Sequence, residues 1–461
     1  MLSADSRALG CALGGAVWPN WDFSWFCDRN TPKTCPAGWP GWRWDQARGA
    51  SLGRAYNYAH VSSTYLGMYQ AATYDKQKTI RPRLWYLNRA YKTIVAMAYQ
   101  ASWYSHQGLM DGTNFWTILV ALQDEGMHKE AAVVEEIMRN RTVVGVQNQC
   151  RYYVIDNVIH DLGVDKPGCH WYQAANVTSP WVNQTGLPGA GSEFSWDTTG
   201  QEEAYIWGRY FNNSALAMSS LNQILAYSPL VPNWAWHGSA FGEGDFGNNG
   251  VYRANERVLQ HYRSGLNAIP PTEEFLRNPH DFYLLRLAAG SVSGVLTNID
   301  VDGAPSMAFH GDPGSMFFDP ASGDHGLAYY GHSHITQSFV VAHPDLGWLC
   351  YFCNLNSSSA SEMVVAPRDT YRRKIYVGPL GLQIISDAGV FESARLATAG
   401  GKIAGVVVTF GPVADQPLSH FRLRLLTRSG SKVFTAKGLS MTRGGYVIAP
   451  TNTNTAVTIE W

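Results

Sequence analysis

The chain has 461 residues, and 15% of them are charged, against roughly 25% in an average soluble protein. Its 35 Lys and Arg against 36 Asp and Glu leave a formal charge of −1, without the basic excess of a nucleic-acid binder. A hydrophobic fraction of 45%, with no apolar run near the roughly 18 residues of a membrane span, excludes wholesale disorder and membrane helices.

Residues 1–45 hold many Trp, Pro and Gly, Trp18, Trp21 and Trp25 among them, without helical periodicity, and read as an irregular lead-in. Their short apolar stretch, ALGCALGGAV, follows acidic Asp5 and makes a poor signal peptide. From 46 to 335 the texture is helical. Leu84, Leu87, Tyr91, Ile94 and Ala98 step by three and four. Phe115, Ile118, Leu119 and Leu122 repeat the pattern, and Gly126 supplies a stop. KEAAVVEEIMRNR is a further amphipathic helix. A loop-rich insertion over 147–198 carries Cys150 and Cys169. Helices resume at 201–211 and 214–227, with more helical texture over 250–264 and 281–297.

After about 335 the period changes to two. In HFRLRLL, Phe421, Leu423 and Leu425 alternate with Arg422 and Arg424, marking a half-buried strand. SFVVA, RRKIYVG, GLQIISD, IAGVVVTF, YVIAP and AVTIEW read likewise. Helical hairpins followed by strands give an α+β multidomain chain, with a helical domain over 46–335 and an antiparallel β-sandwich over 336–461. Sequential hairpins closed in a ring form an α/α toroid. About eight helices are visible, so the ring is incomplete against the twelve of six hairpins.

The densest polar segment is GSEFSWDTTGQEEAYIWGRY, residues 191–210. Glycosidic cleavage needs one carboxylic acid to protonate the leaving oxygen and a second carboxylate to activate water or attack carbon. Glu193 and Asp197, with Trp196 between them, offer such a pair, and an aromatic wall raises the pKa of the acid. Thr199-x-x-Glu202 is also a capping box, which gives Glu202 a structural alternative. Asp111, in GLMDGTNFW, is a third candidate acid; as the N-cap of a helix starting near Gly112 it has an ordinary explanation too. Trp196, Glu202 and Trp207, and the Gly-rich loop with Trp236, His237 and Asp245, suit sugar contact, as do Asp324 and His332 in SGDHGLAYYGHSH.

Two metal patterns are weak. His332-x-His334 on a strand would put both rings on one face without a third ligand. Cys350 and Cys353 lie in GWLCYFCNL, a strand in which i and i+3 face opposite sides, against a zinc or redox pair. No metal and no cofactor is expected. Cys27 with Cys35, and Cys150 with Cys169, could close disulfides. Sequons occur at Asn140, Asn176, Asn183, Asn212 and Asn356.

One helical stretch favours other chemistry. AYNYAHVSSTYLGMY gathers Asn57, Tyr58, His60 and Tyr65, a set that could neutralise a uronate carboxylate and remove its C5 proton. There is no G-x-S-x-G, Walker, G-x-G-x-x-G or H-E-x-x-H motif.

Several strings, among them PRLWYLNRAYKT, GLMDGTNFW, SEFSWDTTGQEEAYIWGRYF and RRKIYVGPLGL, resemble a family of large microbial proteins. Its defining domain is of unknown function and is grouped with six-hairpin glycosidases. The resemblance covers roughly residues 50–395 and implies an α/α toroid with a β domain, acting on a poly- or oligosaccharide. Glu193, Trp196, Asp197, Gln201, Glu202, Glu203, Asp324 and His332 match its motifs. Asp111 stands where an acidic residue is expected, and the 241–250 loop departs from the family's more aromatic form. Family members carry a β-rich region before the toroid, so a missing N-terminus would account for the absent signal. The expectation is therefore a monomeric, extracellular glycoside hydrolase, with a cytoplasmic location as the alternative. Asp111, Glu193 and Asp197 are its candidate catalytic residues. A uronate lyase and a non-catalytic glycan-binding protein are the competing readings.

Overall fold

A computed structural model describes residues 52–74, 79–101, 108–142, 152–155, 158–161, 200–226, 258–297, 308–310, 325–359, 361–412, 420–449 and 451–461. The lead-in lies outside the described residues. Of the 147–198 insertion only a hairpin is described, β1 (Tyr152–Ile155) with β2 (Val158–Asp161). Two compact units emerge: the first falls within Met1–Gly67, Leu84–Pro270 and Gly290–His334, the second within Met68–Arg83, Pro271–Ala289 and Ile335–Trp461.

The helices are α1 (Ala55–Tyr74), α2 (Arg83–Gln100), α3 (Thr113–Asp124), α4 (His128–Thr142), α5 (Gln201–Tyr210) and α6 (Ser214–Ala226). They continue as α7 (His261–Asn267), α8 (Ile269–Arg277), α9 (Phe282–Thr297) and α10 (His325–Ile335). The expected stripe of α2 buries Leu87, Tyr91 and Ile94, while Leu84 in its first turn is exposed. All four stripe residues of α3 are fully buried, and Gly126 ends the helix at φ 74°, a conformation glycine adopts freely.

Helix α5 is buried all round, from Gln201 to Gly208, and forms a short hairpin with α6. Asn213 caps α6 by accepting the Leu216 N–H at 3.1 Å. A Cβ on Gly208 would lie 2.9 Å from the Ala217 nitrogen, so only glycine permits this approach of the two backbones.

Three elements differ from the sequence expectation. Residues 258–260 form a strand, β3 (Val258–Gln260), paired with β4 (Ala308–His310), before α7 begins. Helix α8 is hidden in sequence by Pro270 and Pro271, which occupy its first turn, where no donor N–H is needed. The His-x-His string is helix α10, not a strand, and Gly331 sits against the Gly265 backbone.

The second unit holds β5 (Ser338–His343), β6 (Gly347–Tyr351), β7 (Cys353–Ser359), β8 (Glu362–Pro367), β9 (Lys374–Val377), β10 (Leu382–Ser386) and β11 (Phe391–Ala399). It continues with β12 (Lys402–Phe410), β13 (Phe421–Thr427), β14 (Thr435–Ala436), β15 (Met441–Thr442), β16 (Gly445–Ile448) and β17 (Thr455–Glu460). One sheet runs β15-β16-β13-β10-β9-β5-β6 and the other β14-β17-β12-β11-β8-β7. Among the described strands every pairing in them is antiparallel except that of β5 with β9, which is parallel. Val340, Ile384 and Leu423 from the first sheet share a core with Leu396, Val406 and Phe410 from the second, and the Phe410 and Phe421 rings meet at 5.1 Å. The result is a sandwich. The β13 alternation holds, with Phe421 and Leu423 buried and both arginines half-buried.

Candidate active site

The first unit contains a cluster of three buried carboxyls. Asp111 precedes α3, and Glu202 and Glu203 are the second and third residues of α5; none is more than 1% exposed. Glu202 and Glu203 are adjacent on a helix, so both can be buried only because α5 has no solvent face.

Each carboxyl is held differently. Both oxygens of Glu202 accept the Thr113 N–H, at 3.2 and 3.0 Å, so Glu202 caps α3 from another helix. Thr199, the other half of the expected capping box, lies outside the described residues; the N-cap of α5 is Gly200, with no side-chain cap. Glu203 Oε2 accepts the Leu109 N–H at 2.8 Å, and Oε1 lies 3.6 Å from Arg141 Nη2 of α4. Its side chain lies flat on Gly112, where a Cβ would come within 2.5 Å of the Glu203 Cδ.

Asp111 is not the N-cap it resembles in sequence. Gly112 takes that position, and Asp111 stands before it at φ 67°, a left-handed conformation unusual for any residue but glycine. Its backbone carbonyl accepts the Asn114 side-chain amide and the Asn114 N–H. Asn114 in turn is tied to Ser62 at 2.9 Å and to the Ala59 carbonyl at 3.1 Å, so α1 braces the turn. The Ser63 and Asn114 side chains approach the Asp111 carboxyl, yet neither of its oxygens has a hydrogen-bond partner of good geometry.

Burial pushes the Asp111 carboxyl well above the usual carboxylate range, against the pull of Ser63 and Asn114. Burial does the same to Glu202, and repulsion from Asp111 and Glu203 adds to it. Glu203 is pushed up to about 7 by burial, opposed by Arg141 and the Leu109 N–H. Burial therefore favours the protonated form of both Asp111 and Glu202, and their mutual repulsion adds to this at Glu202. A buried carboxyl favoured in its acid form, on a left-handed turn and without a well-aligned hydrogen bond, can deliver a proton to a bound group.

A polar face of α1 lies beside this turn. Asn57, His60 and Ser63 follow one another at helical i, i+3 spacing. Arg54 Nη1 donates to Asn57 Oδ1 at 3.2 Å. His60 is held down to about 4 by burial and then by the Arg54 charge, so its imidazole is neutral. The two tyrosines grouped with them in sequence serve the core. The Tyr58 hydroxyl donates to the Leu52 carbonyl at 2.7 Å and is pushed up to about 12 by burial, while Tyr65 packs edge-on against Trp85 at 6.1 Å.

A family model matches residues 32–152 and 178–458, most of the chain, and covers every member of the carboxyl cluster. The chain belongs to DUF5695, a family of unknown function. No curated protein and no solved structure matches it.

Within this DUF5695 chain, Glu193, Trp196, Asp197, Trp236, His237, Asp245 and Asp324 lie outside the described residues. Asp111 and Glu202 meet in the cluster. Trp207 does not serve as a sugar platform: it is fully buried, stacked on Phe211 at 5.7 Å and edge-on to Tyr210 at 5.3 Å. His332 is half-buried on α10, and His334, two residues on, points to another helix face and packs on Tyr330 at 6.3 Å. Among the described residues no group of His, Cys, Asp and Glu could hold a metal ion. In sequence Glu203 stands out only as a motif match and Gly112 only as a helix start, and Arg141 carries no signal. The adjacent Glu202 and Glu203 were the available signal, since two like charges in one helix turn need separate partners.

Proposed function

We propose that the chain is a glycoside hydrolase acting on a poly- or oligosaccharide, with Asp111 as the acid. The observation that carries this reading is the Asp111 carboxyl: buried, pushed well above the usual carboxylate range, without a hydrogen-bond partner of good geometry and held on a left-handed turn. It would donate its proton to the glycosidic oxygen as the C–O bond breaks. A second carboxylate then activates water for attack on the anomeric carbon, or attacks it directly. Asp197 is five residues from Glu202 and Glu193 nine, within a chain reach of about 17 and about 30 Å, so either can complete the pair. Trp196, Trp236, His237, Asp245, Asp324 and His332 are the proposed sugar contacts. The short hairpins α3–α4 and α5–α6 support an α/α toroid as the frame. The Cys350–Cys353 disulfide supports an oxidising, extracellular compartment.

The α1 face favours a second reading. Arg54, Asn57 and His60 together are the parts a uronate lyase needs, a carboxylate neutraliser beside a neutral imidazole base. A polysaccharide screen read both by reducing ends and by absorbance near ~235 nm separates the two, because elimination leaves a conjugated uronide. Reducing ends alone support hydrolysis. Both signals together make the chain a lyase, and neither signal with retained glycan affinity makes it a binding protein.

A further inference from the structure

The proposed function takes Cys350-Tyr351-Phe352-Cys353 only as a sign of compartment and gives it no part in the chemistry. Against the expectation from an unbroken strand, its two sulfurs are bonded, with the Cα atoms 5.4 Å apart. The strand is broken: β6, at the edge of one sheet, ends at Tyr351, and β7, at the edge of the other, starts at Cys353. Phe352 alone makes the corner, at φ 59°, a conformation disfavoured for a bulky residue.

Neighbouring strands hold Phe352 there. Its carbonyl accepts the Ser338 hydroxyl and the Arg368 N–H, both at 3.2 Å. The Arg372 guanidinium lies 4.8 Å from the Phe352 ring and 5.2 Å from that of Tyr371, and it pairs with Asp369. The corner therefore anchors the β8–β9 connection.

The two sulfurs differ in access. Cys353 is buried, 3% exposed, while Cys350 is half-buried. Cys353 Sγ lies 3.3 Å from the Tyr351 carbonyl oxygen and 3.9 Å from that of Phe339. A thiol at Cys353 thus has acceptors already in place, so the corner can house the reduced form as well as the disulfide.

We propose that Cys350–Cys353 is a reversible redox latch on the sheet-to-sheet corner, opened by a dithiol that attacks Cys350 Sγ. The attacking thiolate bonds to Cys350 as the S–S bond breaks, and the electron pair goes to Cys353 Sγ, which takes up a proton. The second thiol of the reagent then displaces Cys350, which is protonated in turn. Two electrons and two protons pass to the protein, and the reagent leaves as a cyclic disulfide. Opening frees Phe352 to return to extended backbone and loosens the connection carrying Arg368, Arg372 and Arg373.

The test treats the folded, full chain with dithiothreitol, then maps alkylated cysteines and tryptic cuts by mass. The latch predicts alkylation of both Cys350 and Cys353 below the unfolding transition, and cleavage after Arg368, Arg372 and Arg373 about tenfold faster. Removing the dithiothreitol and adding oxidised glutathione should restore the slow rate. Cys350→Ser/Cys353→Ser should be cut at the fast rate with or without reagent, which separates this pair from the other five cysteines. If that variant does not fold, reduction and reversal in the natural chain decide. A pair that stays oxidised until the chain unfolds, or a reduced chain cut at the oxidised rate, overturns the proposal.

Discussion

Glu202 and Thr113, 89 residues apart in sequence, join α5 to α3 through a single N–H shared by both carboxylate oxygens. That contact ties up Glu202 at the start of α3, two residues from Asp111. The Asp111 oxygens have no such tie. Of the two coupled acids, Asp111 is therefore the one left to meet a substrate, and Glu202 is the neighbour whose charge would repel its conjugate base and favour its return to the acid.

Trp207 belongs to the core, so its truncation should act on stability and not on sugar affinity. Trp207→Ala is expected to lose about 3–5 kcal/mol in urea unfolding, from the cavity it leaves. Binding of any glycan by the folded fraction should be unchanged. A variant of normal stability with weakened glycan binding would put the indole at the sugar instead.

Two glycines should respond in opposite directions. Gly112→Ala drives a Cβ into Glu203 and should destabilise by about 1–3 kcal/mol. Gly67, exposed in α1 with nothing within 4 Å, gains helix propensity as Ala, and Gly67→Ala should stabilise by roughly 0.5–1 kcal/mol. Thermal unfolding of both variants decides. A neutral Gly112→Ala would mean that Glu203 does not press on the turn.

Glu203 makes stability fall as pH rises. Its pKa goes from an ordinary 4.5 to about 7 on folding, so between these values the folded chain holds a proton that the unfolded chain releases. The stabilisation is fully present below about 4.5 and is lost through about 7. His60 acts oppositely, since its pKa falls from 6.5 to about 4 and its contribution is lost as pH falls through that window. Comparing Glu203→Gln with the natural chain isolates the first effect. The stability advantage of the natural chain should shrink steadily from pH 5 to pH 7. An advantage that is flat over that range would place the Glu203 pKa outside it.

The parts of this molecule written in local patterns were legible in sequence. The stripes of α2 and α3 and the alternation of β13 each reflect one buried face, and a single face shows in three or four residues. Partnerships across the chain were not. Thr199-x-x-Glu202 is a sound local capping signal, but the partner of Glu202 is Thr113 in another helix. Asp111 before a helix looks like an N-cap, and nothing local announces that Gly112 displaces it. Helix α5 carries two glutamates and so looks half-solvated, whereas its neighbours bury every face. Phe352 shows no sign of a left-handed turn, because an aromatic residue there reads as strand, and the disulfide follows from that turn.

The central claim is that Asp111 is the proton donor, and Asp111→Asn tests it most directly, because the amide keeps the shape and cannot donate an acidic proton. On the glycan cleaved by the natural chain, with unfolding measured in parallel, the variant should lose at least about 100-fold in kcat while remaining folded. Folded Asp111→Asn that releases reducing ends at the natural rate would contradict the account.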